Sequence, residues 1–198
     1  MIYSNSGQIK SKAKEFLKNQ WGIAILSYLL VMVILEALIA TFLGALILTG
    51  PLSFGLSLVY LNIYKGKQED VATLLQGFNR FGETFLLYLK KTLFVFLWSL
   101  LLIIPGIVKA LSYSMSYFLM AEHPEMDSSD ALKESERLMD GHKGRLFCLN
   151  LSFIGWYLLS ILTFGLLLIY VQPYRFAATV AFYKELKADS LSVDHAVN

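Results

Sequence analysis

The sequence predicts an all-α integral membrane protein. About six transmembrane helices form three hairpins, each preceded by a cytoplasmic interfacial amphipathic helix. Three observations lead there. The 198 residues are 56% hydrophobic and 16% charged, with mean hydropathy +0.56, whereas a soluble domain is nearer half apolar and a quarter charged. The apolar residues gather in three long blocks. All but two of the 17 lysines and arginines fall in four short polar stretches that flank those blocks. These stretches hold Lys10 to Lys18, then Lys65 to Lys91, then Lys133 to Arg145, then Lys184 and Lys187. Short loops rich in Lys and Arg stay cytoplasmic. With all four stretches on that side, each block must leave and return.

The first block runs from Trp21 to Tyr64. A bilayer core takes about 20 apolar residues per helix, so the block holds two arms, Trp21–Ala40 and Ala45–Tyr64. The break falls at Thr41-Phe42-Leu43-Gly44, where glycine suits a turn. The polar start before Trp21 is long and the apolar run after it passes well beyond a signal core, so the first segment is expected to be retained.

The middle block, Thr92 to Ala121, is short for two crossings. Pro105-Gly106 is its turn signal, giving arms Thr92–Ile104 and Ile107–Ala121. The first arm lengthens to include Phe85–Leu89 if Lys90 and Lys91 snorkel to the surface. One kinked crossing is the alternative, but it would put Lys133, Arg137, Lys143 and Arg145 outside. The third block runs from Leu146 to about Leu186 and breaks at Thr163-Phe164-Gly165. In the first and third blocks a proline follows the break threonine at the same distance (Thr41 to Pro51, Thr163 to Pro173), and both returning arms end in aromatic residues. That is a weak internal repeat.

An amphipathic stretch precedes each block, with apolar residues at helical spacing. The first carries Ile9, Ala13, Phe16, Leu17 and Trp21, and the second Val71, Leu74, Leu75, Phe78, Phe81, Phe85 and Tyr88. The third carries Ala131, Ser135, Leu138, Met139 and Leu146. In the third, Ser128 or Ser129 is the expected cap and Gly141 the expected stop. Basic helices of this kind lie most simply in the headgroup plane, against anionic lipid at the cytoplasmic face. Residues 1–187 then make one membrane domain of repeat-like units, about 8–64, 69–121 and 128–186. Residues 188–198 form a polar tail expected to be disordered.

Three charges lie inside the blocks: Glu36, Lys109 and Arg175. Ionisable residues within a membrane are costly and often functional, so these three form the candidate polar site, with Glu36 able to pair with Lys109 or Arg175. The alternatives are a structural ion pair or snorkelling, a substrate or proton path, and a headgroup contact. Asn150, Ser152, Gln172 and Tyr174 read as packing hydrogen bonds between helices. The run Glu122, Glu125, Asp127 and Asp130 reads as a solvated loop with a capping role. Cys148 is the single cysteine, so an intrachain disulfide is out of reach, and it reads as a buried thiol. His123, His142 and His195 lack metal partners at ligand spacing. No P-loop and no Gly-x-Ser-x-Gly elbow occurs. The sequence therefore predicts no catalytic residue, no cofactor and no metal.

Several segments resemble a bacterial membrane family, domain-of-unknown-function family 975. They are Leu97 to Ile107, with its Pro105-Gly106; Ala131 to Ser135; Leu138-Met139-Asp140-Gly141-His142-Lys143; Leu151 to Trp156; and Pro173-Tyr174 with Ala181-Phe182-Tyr183. The resemblance covers nearly the whole chain. It implies a multi-pass plasma-membrane protein of low-GC Gram-positive bacteria, with no catalytic residue to carry over. A looser likeness, on the Pro-Gly turn and the following Ala-x-x-x-Ser helix, is to the membrane domain of some glycerophosphodiester phosphodiesterases. Their catalytic domain has no counterpart here.

Three functions compete. A non-enzymatic accessory or interaction protein would serve envelope or membrane homeostasis, or sensitivity to membrane-active peptides; its partners are the bilayer and another membrane protein. A small transporter or permease would use Glu36, Lys109 and Arg175. A lipid-directed enzyme has no nucleophile, base or metal set to support it. The net charge of +2 is too small to suggest nucleic acid.

Overall fold

The computed structural model describes residues 5–18, 20–39 and 42–197, excluding the side chains of 35–46, of 101 and of 191 onward. All regular structure among the described residues is helical.

Helix α1, Ser6–Leu17, begins where Gln8 Oε1 accepts from the Asn5 N–H at 2.9 Å. Its predicted apolar stripe is real: Ile9, Ala13 and Leu17 are buried. The cover is protein, however. Tyr174 of the last helix donates to the Lys10 carbonyl at 3.1 Å. Trp21 stacks on Tyr170 at 4.7 Å between ring centroids. The stripe expected to face lipid is thus taken up by intramolecular packing.

Helices α2, Trp21–Ile39, and α3, Phe42–Tyr64, form the first hairpin. Helix α3 already includes Phe42 to Gly44, so Gly44 does not form the turn expected there; Thr41 lies outside the described residues. Helix α3 continues through Pro51. It is apolar on every face and lies at the centre of the bundle, with Leu52, Val59, Tyr60, Leu61 and Ile63 almost fully buried. Two glycines let the chain close on it. A side chain at Gly55 would collide with the Leu74 carbonyl, and one at Gly77 with the Pro51 carbonyl.

The second amphipathic stretch is not one helix. A 3₁₀ turn, Val71–Leu75, leads into the short α4, Gln76–Asn79, and the chain bends at Arg80. The docking of Gly77 and Leu74 on α3 interrupts the period. Helix α5 then runs unbroken from Phe81 to Leu101, so the lengthened first arm is the one formed. The break after it lies at Leu102, whose backbone is extended, and not at Pro105-Gly106. Pro105 sits in the first turn of α6, Ile103–Ser112. There its missing N–H has no helical partner to lose.

The returning arm is interrupted at Tyr113–Met115 before α7, Ser116–Glu122. Helix α8, Ser128–Leu138, repairs this gap. Ser135 Oγ accepts from the Met115 N–H at 3.2 Å and donates to the Ser112 carbonyl at 2.7 Å. Its cap is Asp127, one residue before the serines expected, because its carboxylate reaches both the Ser129 and Asp130 N–H groups at 2.7 Å. The Ser128 and Ser129 hydroxyls instead receive Lys90. Helix α8 therefore packs its apolar face on α5 and α7, not on a headgroup layer.

After Gly141, which takes φ 72°, the third block splits into α9, Lys143–Leu151, and α10, Ile154–Leu162. The predicted tip at Thr163-Phe164-Gly165 is confirmed, with left-handed backbone at Phe164 (φ 50°) and Gly165 (φ 85°). Helix α11, Leu168–Val197, carries Pro173 inside it and continues helically through the stretch expected to be a disordered tail. Cys148 is exposed rather than buried. The buried face of α9 is Leu146 and Leu149, which leaves Cys148 and Phe147 outward.

Among the described residues three stretches are long and apolar enough to cross a membrane: Ile47–Tyr64, Ile103–Glu122 and Lys143–Leu162. A fourth is added if α1 and Trp21–Ile34, bent by 101°, count as one span. The described residues thus give three to four candidate spans and not the six expected. Helix α5 carries Lys90 and Lys91 mid-length, and α11 carries Arg175 and Lys184.

Candidate functional site

Of the three charges singled out in the blocks, Lys109 and Arg175 lie in different places. Glu36 lies on α2, and its side chain is outside the described residues. Lys109 projects from α6 to Glu136 of α8, with Nζ to Oε1 at 2.5 Å. It also lies 5.6 Å from the Trp98 ring centroid and 5.5 Å from that of Tyr113. Its partner therefore comes from the amphipathic helix and not from another membrane arm. That leaves Arg175.

Arg175 occupies a different place, where α3, α5, α6, α7, α9 and α11 meet. Its Nη1 donates to Asn150 Oδ1 at 3.3 Å, while its Nε is buried without a partner. Both residues line a cavity of about 470 Å³ together with Ser53, Lys91, Tyr117 and Thr179. Among the described residues the lining holds two cations and no carboxylate. Lys91 points inward, its Nζ 5.1 Å from the Tyr117 ring centroid. The Tyr117 hydroxyl is buried, with the Ser53 side chain beside it. A second cavity, of about 530 Å³, shares Ser53, Lys91 and Tyr117 with the first and continues past Tyr88 and Val95 to Phe96.

Sequence reasoning found Arg175 because a lone charge in an apolar run is conspicuous. It missed Lys91, which sits beside Lys90 in a basic cluster. The neighbours differ by about 100° around the helix, which sends Lys90 to the start of α8 and Lys91 into the bundle. Of the polar residues read as packing, Ser152 donates to its own helix at Leu149. Tyr157 donates to Gln172 at 3.4 Å. Only Asn150 joins the cavity.

A second ionic cluster ties the ends of the three returning arms. Glu122 closes α7 and is almost fully buried, so it is no solvated loop residue. It accepts from Lys184, from Lys187 at 2.7 Å and from the Tyr183 hydroxyl at 3.0 Å. Lys65, at the end of α3, lies 3.5 Å away. Helix α7 reaches further than the sequence suggested and carries the carboxylate into this basic end. Among the described residues no group of His, Cys, Asp and Glu is arranged to hold a metal.

The chain belongs to the family described as protein of unknown function DUF975, whose model matches residues 1–112 and 100–190. No curated protein matches the chain, and no solved structure does. The looser likeness to the phosphodiesterase membrane domain finds no support in these comparisons.

Proposed function

We propose that this DUF975 member is a multi-pass plasma-membrane protein with both termini cytoplasmic. It acts by binding, as an accessory or interaction protein in membrane or envelope homeostasis or in sensitivity to membrane-active peptides. The observation that carries the reading is the polarity of the bundle. At one end the hairpin turns expose Leu100, Ile103 and Ile104, and Leu162, Phe164 and Leu166, with Phe164 at 99%. At the other end Lys65, Lys184 and Lys187 gather on Glu122. The stretch from Ile103 to Glu122 is 20 residues, about 30 Å of helix and one hydrocarbon core. Exposed apolar surface at that density marks contact with lipid, and the basic end marks the cytoplasmic side.

Single-cysteine labelling tests it, in a Cys148→Ser background. Cysteines at Pro124 and Ser128 should react with an impermeant maleimide only after the cells are opened. Labelling of either site in intact cells would overturn the three-hairpin topology. A permease is the second reading, favoured by the cavity beside Arg175. It requires a flux of a small anion through reconstituted protein that falls when Arg175 is changed to Gln.

A further inference from the structure

We propose that the two joined cavities bind an anionic phospholipid, its phosphate between Lys91 and Arg175 and its acyl chain in the chamber along α5. The inference rests on the membrane reading above and adds a ligand to it.

The charge balance points to an anion. Several other cations held against the bundle find carboxylates: Lys109 has Glu136, Lys184 and Lys187 have Glu122, and Arg145 has Glu185; Lys90, which has none among the described residues, meets two hydroxyls instead. Lys91 and Arg175 have none among the described residues, although both line the same cavity. Cations inside a bundle without counter-charge are costly. A phosphate would remove that cost. Arginine offers a planar fork suited to phosphate oxygens, and lysine a point charge beside it. An unused donor matches. Arg175 Nε is buried and unpartnered, and the Tyr117 hydroxyl is buried beside Ser53 on the same wall.

The shape points to an amphiphile. The polar cavity, about 470 Å³, adjoins a chamber of about 530 Å³ lined by Tyr88, Val95 and Phe96. Each lies within the roughly 300–1,000 Å³ typical of ligand sites. Phe96 is 62% exposed on the outer face of α5, so the apolar chamber ends at the surface that would meet lipid. A free phosphate would use the first cavity alone. A phospholipid uses both, with its charge and its chain each in the chamber of matching polarity.

The test uses the full chain, purified and reconstituted into nanodiscs of phosphatidylglycerol and phosphatidylcholine in equal parts, then extracted mildly and analysed for retained lipid. The wild type should retain phosphatidylglycerol about tenfold over phosphatidylcholine: both offer the same phosphodiester, but only phosphatidylcholine brings a trimethylammonium against Lys91 and Arg175, and tenfold corresponds to about 1.4 kcal/mol of like-charge repulsion. The Lys91→Gln/Arg175→Gln double variant should retain the two lipids equally. Lys91→Arg, which keeps the charge, and Lys109→Gln, outside the cavity, should behave as wild type. No preference in the wild type overturns the proposal, whatever the variants do. A preference for phosphatidylglycerol in the double variant as large as the wild type's also overturns it. Loss of the preference in excess inorganic phosphate would assign the site to a free anion and overturn the lipid assignment. Failure to enter nanodiscs at all would sink the membrane reading, whereas entry without selective retention sinks this inference alone.

Discussion

Ser135 and Ser112 meet across two helices: the Ser135 hydroxyl donates to the Ser112 carbonyl at 2.7 Å while accepting from the Met115 N–H at 3.2 Å. A helix interrupted inside a bundle leaves backbone groups that lipid cannot satisfy. One hydroxyl from α8 satisfies both a donor and an acceptor at the gap between α6 and α7, so α8 is part of the bundle's hydrogen-bond structure.

Ser135→Ala should therefore cost about 1–3 kcal/mol, the penalty for leaving buried backbone groups unpaired. For a domain of this size that is roughly 2–4 °C of melting temperature per kcal/mol. Circular dichroism melts in detergent measure it. A change indistinguishable from that of Ser129→Ala, whose hydroxyl meets only Lys90, would show the stitch to be dispensable.

Gly55→Ala should destabilise by about 1–3 kcal/mol, because overpacking a close-packed contact forces the backbone apart. The Leu74 carbonyl occupies the space a Cβ needs. Gly155→Ala is the contrast, since nothing lies within 4 Å of its Cβ, and adding alanine to a helix is favourable by about 0.5–1 kcal/mol. The two variants, melted side by side, should move in opposite directions.

Much of the architecture was readable because its signals are local. The tip at Thr163-Phe164-Gly165 and the stop at Gly141 are turn chemistry, which depends on a few adjacent residues. The apolar faces of α1 and α8 followed from periodicity, but their cover did not. An apolar stripe reads the same against lipid or against α11, so Ile9, Ala13 and Leu17 gave no hint of Tyr174 and Trp21 closing over them. Pro105 was read as a break because proline ends helices, yet proline also opens them, and the extended backbone at Leu102 decided between the two. The candidate cavity was half visible. Arg175 stood out by isolation, whereas Lys91 was hidden by a basic neighbour that already explained it. The partners Glu136 and Glu122 lay in polar segments, where a carboxylate attracts no notice.

Glu122→Gln should loosen the joint between the returning arms. Glu122 is 7% exposed, and its partners Lys184 and Lys187 are 17% and 29% exposed. Removing its charge leaves two partly buried ammonium groups facing each other. Breaking a buried pair costs about 3–5 kcal/mol, and the exposure of the lysines lowers the expectation to roughly 2–3 kcal/mol. Lys109 and Glu136 are the control pair. With Glu136 43% exposed, a double-mutant cycle there should give a coupling of about 0.2–1 kcal/mol. A cost for Glu122→Gln no larger than that of Glu136→Gln would show that burial of Glu122 carries no extra weight.

Acid should weaken the start of α8. The backbone N–H of Asp130, and then that of Ser129, hold the Asp127 carboxyl below its ordinary range. A carboxyl whose folded value is depressed contributes stability that is fully present above its unfolded value and is lost as pH falls through the folded one. Melting temperature should therefore decline as pH drops through the carboxylate range, by an amount that includes this cap. Asp127→Asn keeps a side-chain oxygen for the two N–H groups but has no proton to gain. Its melting temperature should lie slightly below that of the wild type near neutral pH and fall less steeply in acid. Parallel curves for the two proteins would mean that the cap's charge is not what acid removes. Because α8 presents Ser135 to the α6–α7 gap, loss of the cap should also speed hydrogen exchange at Met115, a readout in a different helix.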